Sequence, residues 1–503
     1  MIRGAALVAV TFVAACGGGG ADGDGDPASV VPADALVYAE ATVRPEGSQR
    51  EDALAGLGKV LRTDDPATRI QELIRGGVAD LDYERDVKPW LGERAACWAT
   101  REGEDGVVVM AATDEDAARE ALSRHLERHG QSLSERSHRG VDYVLGVSDR
   151  VAAVVVDGFA AMGSEPQVKR TIDAAEGDSL ADSDAYTDAV GALEDDRLAT
   201  FWIDTRRAFD VAHQWSDPEV ERLRSLVPLD DLPPVAGGFA ANGERLALEI
   251  VARDSADLGS LLDGGGPTPL LEELPGDSWA AFGSADVGQS VHETIERFGG
   301  AIGSVAIRGQ VRRETGLDLD RDLLDWIGHS AVFVRGTTPD EVDGGLVIQP
   351  TDEDKAADAF GRIAGAIQGL HGPSPVRARP IDVAGADQAF AFVERGTPHP
   401  IVFARGSGVV VLTYGEAAAE AALGSQDRLG DTDLYREADE LTGTEPSLLV
   451  SIPAALELAE AAGAGADPDF VEARPYLEAF SVFAAAATAE GDEFVARLGA
   501  GLR

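Results

Sequence analysis

Two acidic loops carry the residue types best suited to bind a cation. Each loop has two aspartates one residue apart and then a tyrosine: Asp182, Asp184 and Tyr186 in one, Asp431, Asp433 and Tyr435 in the other. Divalent cations accept carboxylate oxygens of this kind. Aspartates that alternate with Ser or Thr also form Asx turns, which open the helix that follows. The pattern favours such a turn, with a metal site as its alternative.

A pair of histidines is the second candidate for metal binding. His125 and His129 lie one turn apart on the apolar face of a predicted helix, a spacing that could hold zinc, and His138 is the nearest third ligand in sequence. The segment lacks the glutamate that directly follows the first histidine in zinc proteases. A similar helix later in the chain has Ile363 and Ile367 at the matching positions. We therefore expect the histidines to be core or rim residues.

Paired carboxylates at two helix starts could act as acid and base. The run Thr-Asp-Glu-Asp precedes an alanine-rich helix twice, from Thr113 to Asp116 and from Thr351 to Asp354. A helix start needs acceptors for its free amides, and Thr followed three residues later by an acidic residue suits a capping box. We predict that the two threonines are the caps and that the last aspartate of each run reaches back.

A third polar set combines Asp82, Arg85, Asp86 and Trp90. Its spacing predicts a helix start, an ion pair between residues three apart and an indole that faces the core. Gly92 would end the helix. A structural role is sufficient for these residues.

The common catalytic signatures do not occur in the sequence. It contains no Gly-x-Ser-x-Gly, Ser-x-x-Lys or Cys-x-x-Cys motif, and no Gly-x-Gly-x-x-Gly follows a predicted strand. Cys97 lies in an apolar, strand-like run, which is typical of a buried thiol rather than a nucleophile. The sequence therefore gives no catalytic residue and no cofactor, and it argues against an enzyme without excluding one.

The N-terminus carries a targeting signal. Arg3 precedes an apolar segment at residues 5–13, which is too short to span a membrane and suits a signal peptide. The run Val13-Ala14-Ala15-Cys16 resembles the lipobox of bacterial lipoproteins, which implies cleavage before Cys16 and acylation of its thiol. An ordinary secretory signal with a chance cysteine is the alternative. We expect a signal peptide at 1–15, a flexible Gly/Asp tether at 16–29, and a protein lipid-anchored to the outer side of the cell membrane.

The composition and net charge limit the classes of molecule that the protein can bind. The 503 residues include 43 basic and 89 acidic side chains, a formal charge of −46. Such a field repels phosphate backbones, so no nucleic-acid partner is expected. Few lysines and many alanines and glycines suggest a GC-rich genome of actinobacterial type. With Cys16 acylated, Cys97 has no partner in the chain for a disulfide.

Four segments recur in the same order. Residues 81–92 return at 317–328, 113–116 at 351–354 and 180–186 at 429–435, and Pro32-Ala33-Asp34 returns as Pro275-Gly276-Asp277. The offsets stay between 236 and 249. One tandem duplication would explain them. We predict repeats at 30–254 and 270–503, joined by a linker at 255–269.

The pattern within each repeat predicts an α+β fold. In the first, helices are predicted at 49–61, 68–76, 84–91, 114–128, 165–175 and 206–214. Strands are predicted at 36–43, 95–101, 106–112, 132–137, 143–147, 151–163 and 198–204, with a hairpin at 237–252 that turns at Asn242-Gly243. Several strands follow one another without a helix between them. The sheets must therefore be largely antiparallel, with helices packed against them.

The opening of the first repeat resembles a known family. The segment Val31-Pro32-Ala33-Asp34-Ala35-Leu36-Val37-Tyr38, with Ala41 to Gly47 after it, is similar to the start of the uncharacterised bacterial family called domain of unknown function 3352. The resemblance implies an exported or membrane-attached protein and brings no catalytic residues. Our leading hypothesis is a binding or scaffold module at the cell envelope. The alternatives are a carrier of apolar, lipid-like ligands and an undetected hydrolase or metal enzyme.

Overall fold

The chain forms two compact units, Met1–Ser255 and Ala256–Arg503. The structure, a computed structural model, describes residues 25–45, 47–64, 83–100, 106–128, 132–148, 150–195, 197–208, 232–253, 266–369, 377–393, 398–424, 426–490 and 493–503. Within these residues each unit has one antiparallel sheet with helices against it. The predicted α+β class is thus confirmed. The helix predicted at 68–76 lies outside the described residues.

The first unit contributes ten strands. They are β1 Val37–Thr42, β2 Leu91–Ala99, β3 Val107–Ala112, β4 Leu133–His138, β5 Val141–Gly146, β6 Val151–Val156, β7 Phe159–Ser164, β8 Ala199–Ile203, β9 Val235–Ala241 and β10 Arg245–Arg253. They pair in the order β4-β5-β6-β7-β3-β2-β1-β8-β9-β10. The helices are α1 Gly47–Leu61, α2 Glu115–Arg128, α3 Glu165–Ala175 and α4 Asp184–Val190, and short 3₁₀ or π turns occur at Pro27–Val30, Tyr83–Val87 and Leu180–Asp182.

The second unit has the same strand order. Its strands are β11 Ala280–Ser284, β12 Ile327–Arg335, β13 Asp343–Pro350, β14 Arg377–Pro380, β15 Gln388–Val393, β16 Ile401–Gly406, β17 Val409–Tyr414, β18 Leu448–Ser451, β19 Phe480–Glu490 and β20 Glu493–Leu502. They pair in the order β14-β15-β16-β17-β13-β12-β11-β18-β19-β20. Adding ten to a strand of the first unit gives its counterpart in the second. A common origin of the two units stays a prediction from sequence.

The second unit has more helix than the first among the described residues. Its helices are α5 Val287–Thr315, α6 Glu353–Gly369, α7 Glu416–Gly424, α8 Asp433–Thr442, α9 Ile452–Ala461 and α10 Pro468–Leu477. Short 3₁₀ or π turns occur at Pro269–Leu271, Leu319–Leu324, Leu429–Asp431 and Ala464–Ala466. Helices α5, α9 and α10 lie in the connections between neighbouring strands.

Two local predictions differ from the structure. The strand predicted at 151–163 is a hairpin, because Asp157 and Gly158 both have positive φ (48° and 78°) and form the tight turn that twisted antiparallel strands require. The helix predicted at 84–91 is a π turn that ends at Val87, and strand β2 already begins at Leu91. The other predicted helices and strands that fall within the described residues occur at nearly the predicted positions.

Each sheet has a hydrophobic core where helices cover its apolar side chains, which alternate between the two faces along each strand. In the first unit, α3 and α4 cover one face of the sheet and α2 packs on the other, where Ala118, Ala121, Leu122 and Leu126 are buried. Their spacing puts them on one side of the helix. In the second unit, α7 and α8 cover one face, which we call the core face. On the opposite face, α6 packs its Phe360 ring against β13, β16 and β17.

Candidate functional site

The first acidic loop is a helix-capping turn. Asp182 accepts hydrogen bonds from the Ser179 amide (3.0 Å) and hydroxyl (2.7 Å), and these bonds lower the pKa of its carboxyl group. Asp184 lies exposed in the first turn of α4. Asp182 thus bonds back to the residue that precedes the 3₁₀ turn, whereas helix α4 begins without a side-chain cap, so the predicted Asx turn does not open this helix.

The second acidic loop opens its helix with a threonine cap. Thr432 caps α8 by accepting a hydrogen bond from the Tyr435 amide, and Asp433 forms an ion pair of 2.6 Å with Arg436. Asp431 is exposed at the end of a 3₁₀ turn. Within the described part of the chain, no three His, Cys, Asp or Glu side chains lie close enough together to hold a metal ion.

Among the described residues, His125 and His138 do not belong to a group that could hold a metal ion. His125 is half-buried on α2, and His129 lies outside the described residues. His138, on β4, instead contacts Asp173 of α3 through its Nε2 atom at 2.8 Å. The face of α2 that carries His125 packs against the sheet, as its apolar neighbours indicated.

The repeated Asp-Arg-Trp pattern forms a buried ion cluster in each unit. Asp322 is 1% exposed and accepts from both Nε (2.8 Å) and Nη2 (2.9 Å) of Arg321, while Arg362 of α6 lies 2.7 Å away. In the first unit, Asp86 binds Arg85 and Arg128 in the same manner. The arginines hold the pKa of both aspartates well below the usual range. The ion pair therefore joins neighbouring residues and a distant helix. The predicted pair between Asp82 and Arg85 stays a prediction, because Asp82 lies outside the described residues.

The predicted threonine caps were wrong by one residue. Asp114 accepts a hydrogen bond from the Ala117 amide, and Asp352 accepts from the amides of Asp354 and Lys355. The threonine hydroxyls instead donate to backbone carbonyl oxygens, Thr113 to Trp90 (3.1 Å) and Thr351 to Asp325 (3.3 Å). These threonines thus join the helix start to the Asp-Arg-Trp segment.

A buried polar cluster distinguishes the first unit and was missed from sequence. The Tyr38 hydroxyl donates to Glu40 at 2.6 Å, and Arg94 donates to the same carboxylate at 2.6 Å. Burial and the Glu40 charge raise the pKa of Tyr38 well above its usual value. By strand register, the second unit has Ala281 and Gly283 where the first has Tyr38 and Glu40. The cluster also reaches Asp26, at 3.6 Å from Arg94, and so fixes the N-terminal end of the described chain.

A row of apolar side chains crosses the second sheet on the face opposite its core face. Direct cross-strand pairs join the row in the order Leu448, Phe282, Val332, Leu346 and Leu412. Directly paired residues point to the same side of a sheet. Phe282, Val332 and Leu412 are 47%, 42% and 41% exposed, whereas their neighbours along the strands are buried in the core face. We call this row the open sheet face.

The five paired residues of the open sheet face are all apolar. Five strands about 4.8 Å apart give it a length of about 19 Å between the outer strands. Small residues adjoin the row on the same side of the sheet, among them Ala280, Ser284 and Ser330. Ser284 and Ser330 are each 8% exposed, so the row is most open at Phe282, Val332 and Leu412.

The helices around the open sheet face also present apolar residues to solvent. Helix α9 contacts β18 and β19, whose core face is already covered by α8, yet none of the residues of α9 or α10 is buried. In α10, Val471 is 54% and Tyr476 41% exposed. Among the described residues, eleven of the twelve large exposed apolar side chains belong to the second unit. Exposed apolar patches of this kind are typical of interaction sites, and here they are concentrated in the second unit.

In the first unit the side chains at the matching positions are small or buried. Ala39 and Cys97 take the positions of Phe282 and Val332, and Ala39 is 8% exposed. Burial raises the pKa of the Cys97 thiol. The open sheet face is therefore a feature of the second unit alone at these positions. Cys16, the predicted acylation site, lies outside the described residues.

Comparisons with known proteins identify a family whose function is unknown. The model of the family "Protein of unknown function (DUF3352)" matches residues 2–368. No curated protein matches the chain. Crystal forms I, III and IV of TP0453 are matched at TM-scores of 0.25 to 0.26 and 10 to 11% identity, over 46 to 47% of this chain and 79 to 84% of theirs, which is too low to indicate a shared fold. No helix among the described residues has both the length and the apolar character needed to cross a membrane.

Proposed function

The chain belongs to the DUF3352 family of proteins of unknown function, and from that premise we propose that it is a lipid-anchored envelope protein that binds an apolar, lipid-like ligand. The ligand lies on the open sheet face of the second unit. The observation that carries the proposal is the row of apolar residues in which Phe282, Val332 and Leu412 are 41 to 47% exposed.

The chemistry of the row favours a lipid-like molecule over a peptide. A peptide that docks on a sheet commonly pairs with a free strand edge, whereas these residues lie on inner strands that already have partners on both sides. An acyl chain needs no hydrogen bonds and gains from apolar contact alone. The row of apolar side chains, about 19 Å long, suits such a chain.

Helices α9 and α10 support the same ligand. No residue of either helix is buried, so α9 covers β18 and β19 only loosely. Glu460 of α9 and Arg474 of α10 form an ion pair of 2.5 Å that keeps the two helices together. Gly463, with φ of 94°, lies between them and allows the chain to turn. An apolar ligand beneath α9 would bury side chains that are now half-exposed.

The anchor would keep the protein close to a source of such ligands. Ala28 and Val30 are 0% and 1% exposed, so the chain is fixed to the first unit from about residue 26. The ten residues between Cys16 and Pro27 can extend at most about 35 Å. If Cys16 carries the lipid, the first unit begins within that distance of the membrane surface.

The proposal is tested with the purified full chain and a fluorescent diacylglycerol, a neutral lipid that the acidic protein does not repel. We expect saturable binding, and we expect organic extraction of protein prepared from its native envelope to release a lipid in stoichiometric amount. An absence of both would refute the proposal. Specific capture of a folded protein by the open sheet face, with no lipid bound, would replace the carrier hypothesis by the scaffold hypothesis.

A further inference from the structure

A cavity of about 460 Å³ lies on the core-face side of the second unit, between β13, the turn that joins β16 and β17, and α7. Its volume falls within the range of small-molecule sites. Val347, Val409 and Leu423 are among the apolar residues that line it, and Gln349 and Glu353 are among the polar ones. The cavity is separate from the open sheet face, because Val409 is two residues from the core residue Val411 and so shares its side of β17.

In the first unit, the side chain of Phe159 occupies the position that corresponds to this cavity. Phe159 begins β7 as Val409 begins β17, and both follow a two-residue turn with positive φ at each position. The Phe159 ring is 3% exposed, and a Cβ at Gly25 would lie only 2.7 Å from its Cζ atom, so Gly25 packs directly on the ring. This fold therefore accommodates a benzyl group at a position where the second unit has only the shorter Val409.

The carboxylate beside this place also differs between the units. In the first unit, Glu115 accepts a hydrogen bond of 3.0 Å from the amide of Gly158, in the turn before Phe159. Glu353 takes the same position at the start of α6, close to Gly408. Its carboxylate makes no hydrogen bond or ion pair with any residue that the structure describes. Glu353 is thus available to accept from a ligand.

The charged residues around the cavity indicate that the ligand carries a positive charge. Glu273 and Arg428, which also line the cavity, form an ion pair with each other and cancel. Glu353 leaves one negative charge at the mouth, in a chain of formal charge −46. An anion would be repelled both locally and by the whole protein.

We infer that this cavity binds a small amphiphile with an aromatic or similarly compact apolar body and a single ammonium head. The apolar body occupies the position that Phe159 fills in the first unit, between Val347, Val409 and Leu423. The ammonium donates to Glu353 and to the Gln349 amide oxygen. This inference does not depend on the proposed lipid site.

The probe is 2-phenylethylammonium, with 3-phenylpropanoate as the ligand of opposite charge, titrated calorimetrically into the full chain. We expect saturable binding of the ammonium compound only. Val409→Phe places in the second unit the ring that the first unit already has, and we expect it to abolish binding. Val393→Phe is the matched control, because Val393 is 45% exposed on β15 of the same unit and does not line the cavity.

A second variant keeps the test valid if Val409→Phe fails to fold. Glu353→Gln preserves the shape of the mouth and removes its charge. At about 4 Å in water one charge pair changes affinity about fivefold, so we expect the ammonium compound to bind about five times more weakly. Absence of saturable binding to the wild type, or unchanged binding by folded Val409→Phe, would overturn the site. Equal binding of the anion and the cation would overturn the assignment of the head group.

Discussion

Removing the exposed apolar side chains of the open sheet face should abolish lipid binding without unfolding the protein. The variant Phe282→Thr, Val332→Thr, Leu412→Thr places a β-branched residue at each position and so preserves strand propensity. Complete burial of one such side chain is worth about 1.5 to 3 kcal/mol. With 41 to 47% of each side chain still exposed, a ligand that covers all three gains about 1 kcal/mol from each. The total of about 3 kcal/mol corresponds to about a 150-fold loss of affinity.

The assay is a fluorescence titration of diacylglycerol, with thermal unfolding of each variant measured beside it. Val147→Thr is the matched control, because Val147 is 53% exposed but lies in the first unit. We expect this control to bind as the wild type does. If the folded triple variant binds within about threefold of the wild type, less than 1 kcal/mol has been lost and the open sheet face is not the site.

Three further predictions concern the other residues that the sequence singles out. Asp322→Asn removes the buried carboxylate that binds Arg321 and Arg362, and because both arginines are partly exposed to solvent it should cost about 1.5 to 3 kcal/mol in urea unfolding, with Asp86→Asn as the matched change. The pKa of Asp322 is lowered in the native state, so its contribution to the free energy of unfolding is complete above the unfolded pKa near 4 and is lost as the pH falls below that value. The free energy of unfolding should therefore depend less on pH in the acid range for the variant than for the wild type. Cys16→Ser should either release the protein from the membrane in a fractionation experiment or leave it as an uncleaved precursor, and a processed, membrane-bound variant would contradict the lipobox interpretation. Burial raises the pKa of Cys97, so iodoacetamide should label it more slowly at pH 8 than after unfolding, and equal rates would show an accessible thiolate.

The sequence predicted the elements well because their signals are local. Helix α3 occupies the predicted residues 165–175, and the strands of the first unit lie near their predicted positions. The caps were less accurate, since Asp114 and Thr113 are both good cap residues and only the backbone geometry decides between them. The π turn at Tyr83–Val87 has no distinctive composition, so its residues were assigned to a helix.

The open sheet face could not be predicted, because both sides of its strands are apolar. Strand β17 reads Val-Val-Val-Leu-Thr-Tyr, which is typical of a strand buried on both faces. Whether Leu412 is covered depends on where α6 and α9 lie, and the sequence near Leu412 does not contain that information. The same holds for the cavity beside Val409, which only a comparison with Phe159 in the first unit reveals.

Differences between matching positions suggest a division of labour between the units. Tyr38 and Phe159 fill the first unit where the second has Ala281 and Val409, and the first unit also holds the N-terminal end of the described chain through Asp26. Filled positions stabilise a unit, whereas cavities and exposed apolar rows lower its stability unless a ligand covers them. The second unit should therefore gain more stability from a bound ligand than the first. Hydrogen exchange with and without diacylglycerol tests this, since protection should rise in β11, β12 and α9 and stay unchanged in β1 and β2.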